Sequence, residues 1–230
     1  MKFSKIKKYR KRHRLLGALL MRNPVLVMGL DLPFVIAAAV SLRGAVAMSI
    51  QMFLIHMITM TVGIATCRKL PMWLRVIVNV MVSTLVMIGG RVLIVGLFHG
   101  VSSTLGMYLY LMAVNSMTVF QSITISKRAK LWPVISGAFL NALGFSLVVI
   151  VVGLLREIFG NGTLWGVPVG IPVKMSGLLI PFSGFIIVGF LLAFTRFVNK
   201  KLLAYSVAET ARREARYGRI EITSVETIDE

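Results

Sequence analysis

One cysteine, Cys67, is the chain's whole supply of thiol. That excludes an intrachain disulfide, a multi-cysteine zinc site and any iron–sulfur cluster held by this chain's thiolates alone. Histidine is nearly as scarce: His13, His56 and His99 are too dispersed to suggest a metal triad, and no HExxH, GxSxG or phosphate-binding glycine loop is present. Acids are the third shortage, with 8 Asp and Glu against 26 Lys and Arg and a formal net charge of +18. Such a surplus could suit nucleic acid, but its placement argues against that partner. Nine basic residues precede Asn23, seven follow Thr195, and the long middle holds only ten. What fills the middle is apolar: 57% of the 230 residues are hydrophobic and 15% charged, a composition that excludes an ordinary soluble globule. The fourteen methionines are scattered and read as packing filler rather than copper thioethers.

A bilayer core of about 30 Å requires about 20 apolar residues of helix. Six stretches qualify, at 23–42, 44–66, 76–98, 104–125, 132–155 and 175–195. The sequence therefore predicts an all-α, polytopic membrane protein: a basic cytoplasmic arm over 1–22, a six-span domain over 23–198 and a polar cytoplasmic tail over 199–230. Lys and Arg are retained on the cytoplasmic face during insertion. With both termini on that face, 22 basic residues lie inside and only Arg43, Arg156 and Lys174 outside, while Arg91 falls within the third span. The arm resembles the start of a signal peptide, but no small-residue cleavage site follows Leu20, and Arg22, Asn23 and Pro24 interrupt the apolar run. Its expected partner is the anionic lipid of the inner leaflet.

Two spans are not plain lipid-facing helices. Gly29, Asp31 and Pro33 interrupt the first, and an unpaired aspartate at bilayer depth costs roughly several kcal/mol. Asn115, Ser116 and Thr118 put a polar cluster at a similar place in the fourth. If spans one to three and four to six are two halves, their first helices run in opposite directions, giving two inverted three-helix repeats whose interrupted helices one and four meet near the midplane. Helix packing alone could account for Asn115, Ser116 and Thr118. Asp31 is different: it calls for a cavity, an ion path or a basic partner, and Arg91 is the intramembrane candidate for pairing. Between spans five and six, Arg156 and Glu157 are expected to cap the fifth helix. Asn161-Gly162-Thr163 fits an Asn-linked acceptor pattern, but its simpler role is a turn that reverses the chain.

Four stretches, NPVLVMGLDLP at 23–33, LGMYLYLMAVNS at 105–116, LREIFGNGTLWG at 155–166 and IPFSGFIIVG at 180–189, resemble in order the E subunit of Rnf complexes and the D subunit of the sodium-pumping Nqr complex. REI-x-GNGT is the most specific element. The resemblance implies an inner-membrane subunit with an inverted repeat. It would pair with a homologous subunit of opposite orientation, in a complex that moves electrons between nicotinamide, ferredoxin or quinone carriers and couples this to Na⁺ or H⁺ movement. It also implies two cysteines, in Leu-Gly-Leu-Cys-Pro and Thr-Asn-Cys elements, which meet two from the partner around an intramembrane iron–sulfur cluster. This sequence departs from that pattern: the first position falls on Asp31 or Leu32 and the second on Ser116. Soft thiolates stabilise such clusters, so no cofactor is expected on this chain alone, although partner subunits could carry flavin or iron–sulfur groups. Three functions stay open: a subunit of a complex whose electron path bypasses this site, a repurposed ion or small-solute transporter using Asp31, and a structural anchor for redox partners.

Overall fold

The computed structural model describes residues 23–67, 70–98, 100–101, 105–125, 130–170, 174–198 and 200–201. The basic arm, the polar tail beyond 201, His13 and His99, and the loop residues Arg68, Lys69, Lys127 and Arg128 lie outside the described residues. Those that are described form two compact units divided between Leu191 and Leu192.

Among the described residues, four helices are long and apolar enough to cross a membrane. They are α2 (Leu42–Cys67), α3 (Met72–Leu97), α6 (Leu131–Arg156, continued to Asn161) and α7 (Pro181–Val198). The stretches expected to form the first and fourth spans are discontinuous. The first holds a short helix α1 (Pro24–Met28), a break, and a turn of wider π geometry at Phe34–Ala38. The second holds a single turn α4 (Tyr108–Leu111), a 3-10 turn at Met112–Val114 and, after a break, α5 (Ser116–Thr124).

Several helix ends differ from the sequence reading, for local reasons. α2 starts at Leu42 rather than Gly44 because the Glu157 carboxylate accepts the Leu42 N–H at 2.6 Å. α3 starts at Met72 rather than Val76 because Pro71, extended at ψ 159°, sets its N-terminus. α6 gains a π turn, Glu157–Asn161, before Gly162 ends it at φ 66°. A two-residue hairpin follows, β1 (Thr163–Leu164) with β2 (Val167–Pro168). Trp165 and Gly166 both take positive φ at its turn, as a primed turn demands. An aromatic there is strained, and it is contacted by the Arg43 guanidinium 5.9 Å from the ring centre and by the Phe98 ring at 6.4 Å.

The first half of α3 is inside out. On α3 the buried face carries Arg75, Asn79 and Ser83 one turn apart, whereas Ile77, Met81, Leu85, Ile88 and Val92 are exposed. Water would not tolerate that face; lipid does. α2 packs chiefly against α6 and α3. Small residues set the approach: a Cβ added at Gly153 of α6 would lie 2.7 Å from the Ala45 Cβ and 3.2 Å from the Ser41 carbonyl. Each interrupted segment packs on long helices from the other half of the chain, α1 and the Phe34–Ala38 turn on α6, and α5 on α2 and α3.

Candidate functional site at the two helix breaks

The first break is built by Gly29, Asp31 and Pro33, after a short helix that Asn23 starts. Asn23 caps α1, accepting the N–H groups of Val25 (2.9 Å) and Leu26 (3.2 Å), and its side-chain amide donates to the Gly144 carbonyl of α6 at 2.9 Å. Gly29 ends α1 in the left-handed region at φ 68°. Asp31 follows at φ 58°, a conformation Asp tolerates better than most residues, and Pro33 opens the next helical turn. The chain's direction changes here, and the carboxylate is thrown sideways.

It lands on the second break. Asp31 Oδ1 accepts the Ser116 N–H at 2.8 Å, the Ser116 hydroxyl at 2.8 Å and the Met117 N–H at 3.4 Å. The Asp31 N–H in turn donates to Ser116 Oγ at 2.8 Å. Asn115 Oδ1 accepts the Thr118 N–H at 2.6 Å, so the first three N–H groups of α5 are satisfied by two side chains, one from the opposite half of the molecule. An anion at a helix N-terminus is favourable, and burial increases that effect. Asp31 is 2% exposed, and its second oxygen, Oδ2, has no hydrogen-bond partner. Leu32 is half-buried beside the break. Of the four residues singled out for an ion path or pairing, Asp31, Asn115 and Ser116 meet. Arg91 does not join them; its guanidinium lies 4.7 Å from the Tyr110 ring centre.

A polar seam runs from this crossing between α2, α3 and α5, and the sequence reading passed over it. His56 of α2 is fully buried, with Nδ1 3.2 Å from the Thr118 hydroxyl of α5. Ser83 of α3 donates to the Ala113 carbonyl at 2.6 Å, just before the second break, and Arg75 donates to the Ile125 carbonyl at the far end of α5 at 3.0 Å. The signal was present as spacing: Arg75, Asn79 and Ser83 stand at i, i+4 and i+8, and His56, Thr59 and Gly63 at i, i+3 and i+7, each on one helix face.

The loop residues Arg156 and Glu157 are staples on the opposite end of the bundle. Fully buried Arg156 donates to five carbonyls, those of Ile36 (2.6 Å), Ala39 (3.3 Å), Leu178 (2.9 Å), Leu179 (2.7 Å) and Ile180 (3.3 Å). It gathers the carbonyl ends of the Phe34–Ala38 turn and of the Ser176–Leu179 3-10 turn rather than capping α6. Glu157 accepts the Leu42 N–H with one oxygen, and the Thr163 hydroxyl (3.2 Å) and Gly166 N–H (2.8 Å) with the other. It thereby ties the start of α2 to the hairpin. Of Asn161 and Gly162, only Gly162 takes positive φ.

Comparison with known proteins adds an independent finding. A family model described as "Rnf-Nqr subunit, membrane protein" matches residues 12–192, a stretch that includes both breaks. Similar curated proteins include the D subunit of the Na(+)-translocating NADH-quinone reductase of Pseudoalteromonas translucida, 28% identical over 185 residues that cover 76% of this chain and 87% of the relative. The E subunit of the ion-translocating oxidoreductase complex of Shewanella oneidensis is 28% identical over 196 residues, covering 78% and 84%. Its counterpart in Vibrio cholerae is 27% identical over 198 residues, covering 79% and 86%.

Proposed function

The chain belongs to the Rnf-Nqr family of membrane subunits, and from that premise we propose that it is an integral inner-membrane subunit of an ion-translocating electron-transport complex, one that supplies no ligands to an iron–sulfur cluster. The observation that carries the second half is the bond between Ser116 Oγ and Asp31 Oδ1 at 2.8 Å. Ser116 falls at one position where the family resemblance implies a cysteine, and the other falls on Asp31 or its neighbour Leu32. A carboxylate and a hydroxyl closed on each other, with no thiolate, do not fit an iron–sulfur centre. The crossing is a structural lock in place of a redox site, and electrons pass through other subunits, which carry the flavin or iron–sulfur groups.

The six-crossing reading, two inverted repeats with both termini cytoplasmic, is supported by the reciprocal packing of each broken segment on the other half. The exposed Trp73 and Trp132 also support it, since they stand at the basic ends of α3 and α6, where interfacial aromatics belong. Broken backbone at membrane depth must be covered by protein. Val27, Met28, Leu111 and Val114 beside the breaks are exposed, which suits a seat for the homologous subunit of opposite orientation.

Tagging the chain and purifying it in mild detergent from its native membrane tests the reading. The expected result is co-purification with a second Rnf-Nqr-type membrane subunit and with flavin-bearing subunits, and an iron and acid-labile sulfide content unchanged by Ser116→Ala. Isolation as a lone protein that takes up ions in vesicles would favour the transporter alternative. Iron lost in step with Ser116→Ala would refute the cluster-free assignment.

A further inference from the structure

Seven buried side-chain atoms among the described residues have no hydrogen-bond partner: Asp31 Oδ2, Gln51 Oε1, His56 Nε2, Thr59 Oγ1, Arg75 Nε, Asn79 Oδ1 and Arg91 Nε. An orphaned polar atom costs about 1–3 kcal/mol, and a folded chain normally carries few of them. Their arrangement is not random. Helices α2 and α3 are antiparallel in a register fixed at two points: Asn79 faces Gly63, 3.2 Å from where a Cβ would stand, and the Gln51 side chain donates to the Met87 carbonyl at 3.1 Å. That register puts Thr59, one turn from Gly63, level with Ser83, and His56 one turn further. Arg75, Asn79 and Ser83 span eight residues of one helix face, about 12 Å of axis. Five of the seven orphans, on Arg75, Asn79, Thr59, His56 and Asp31, therefore follow one another along the seam, from the end of α3 nearest the basic loops to the helix crossing.

We propose that this seam is a hydrated proton inlet, with His56 as the proton-binding group at its inner end. Buried water accounts for such a file, because each molecule needs two to four polar partners and the orphans offer them in sequence. No oxidant or co-reactant enters. A proton carried along the water file bonds to His56 Nε2, giving imidazolium, while Nδ1 keeps its hydrogen bond to Thr118; deprotonation returns it by the same route. The charged and titratable groups around the ring are few. α2 contributes none besides His56 in this stretch, α3 contributes Arg75 towards one end and Arg91 towards the other, and α5 presents Thr118 and Gln121, neither ionisable. Asp31 lies beyond α5's first turn, so a proton on His56 sits close to the N-terminus that the Asp31 carboxylate caps. Histidine and aspartate inside a membrane bundle most often serve such paths.

The test needs only the full chain folded in a lipid nanodisc, so it succeeds or fails independently of membership in a redox complex. With just three histidines, a ¹⁵N-histidine spectrum is assignable by difference from His56→Gln. The His56 ring is expected to exchange its protons with water far faster than the neighbouring α2 amides. Thr59→Val, which fills the seam with an apolar group of the same shape, and Asn79→Leu should each slow that exchange at least ten-fold, with the thermal midpoint of Thr59→Val close to wild type. Ring-proton exchange no faster than that of the neighbouring amides, or exchange indifferent to both substitutions, would overturn the inlet.

Discussion

At the scale of single residues, Asp31 explains how a carboxylate survives at a helix break. It replaces hydration with donors from α5, using one oxygen, and needs no cationic partner. Because Arg91 rests on Tyr110, neutralising Asp31 does not strand a guanidinium. Asp31→Asn keeps an acceptor and the shape while losing the charge at the helix N-terminus, so it should cost only about 1 kcal/mol. Asp31→Ala leaves the Ser116 hydroxyl and the N–H groups of Ser116 and Met117 without an acceptor, and should cost about 3 kcal/mol or more. Thermal unfolding in detergent ranks the two, and the Asp31→Ala, Ser116→Ala double variant should fall short of the summed losses by at least about 1 kcal/mol, since both changes destroy one contact. Equal destabilisation by Asn and Ala would mean that charge, not capping, holds the crossing.

At the scale of elements, the fold rests on close helix approach and on side chains that bind the ends of other segments. Gly153→Ala forces a methyl against Ala45 and the Ser41 carbonyl, so α2 and α6 must separate, at a cost of about 1–3 kcal/mol. Gly137→Ala on the same helix meets nothing within 4 Å and should be neutral or stabilising by up to about 1 kcal/mol. A melting comparison of this pair isolates helix approach from helix propensity. Arg156→Lys keeps the charge but replaces a planar fork serving five carbonyls with at most three donors; a loss of several kcal/mol, roughly, is expected, read as earlier unfolding of the purified chain. Much of this architecture was legible in the sequence. Gly29, Asp31 and Pro33 announced the first break and Asn115 and Ser116 the second, and their meeting is what an inverted arrangement of the two halves led one to expect. What was not legible depends on distant backbone: the carbonyls that Arg156 binds belong to residues 36, 39 and 178–180, which no local pattern connects to it. The polar seam was hidden for another reason. Serine, threonine and asparagine are ordinary packing residues in membrane helices, and only the register between α2 and α3 lines them up with His56.

At the scale of the whole molecule, two asymmetries describe one orientation. Apolar side chains face outward along α3 and polar ones inward, which fixes lipid as the surrounding medium. The orientation proposed above rests on the sequence alone: 22 of the 26 Lys and Arg fall in the segments assigned to the cytoplasmic side, and translocating them would cost more than retaining them. The hairpin at Thr163–Pro168 and the loop before α6 should therefore lie on opposite sides. A Cys67→Ala background carrying either Val169→Cys or Lys130→Cys checks this without disturbing Gly162, whose positive φ makes it a poor site for a probe. An impermeant maleimide added to intact cells should label Val169→Cys, and should reach Lys130→Cys only after the membrane is opened. The reverse pattern would invert the bundle, and with it the direction in which the seam from Arg75 to His56 faces. The buried contacts around Asp31, Arg156 and Glu157 would stand either way, because they are fixed by the fold and not by the side on which it is inserted.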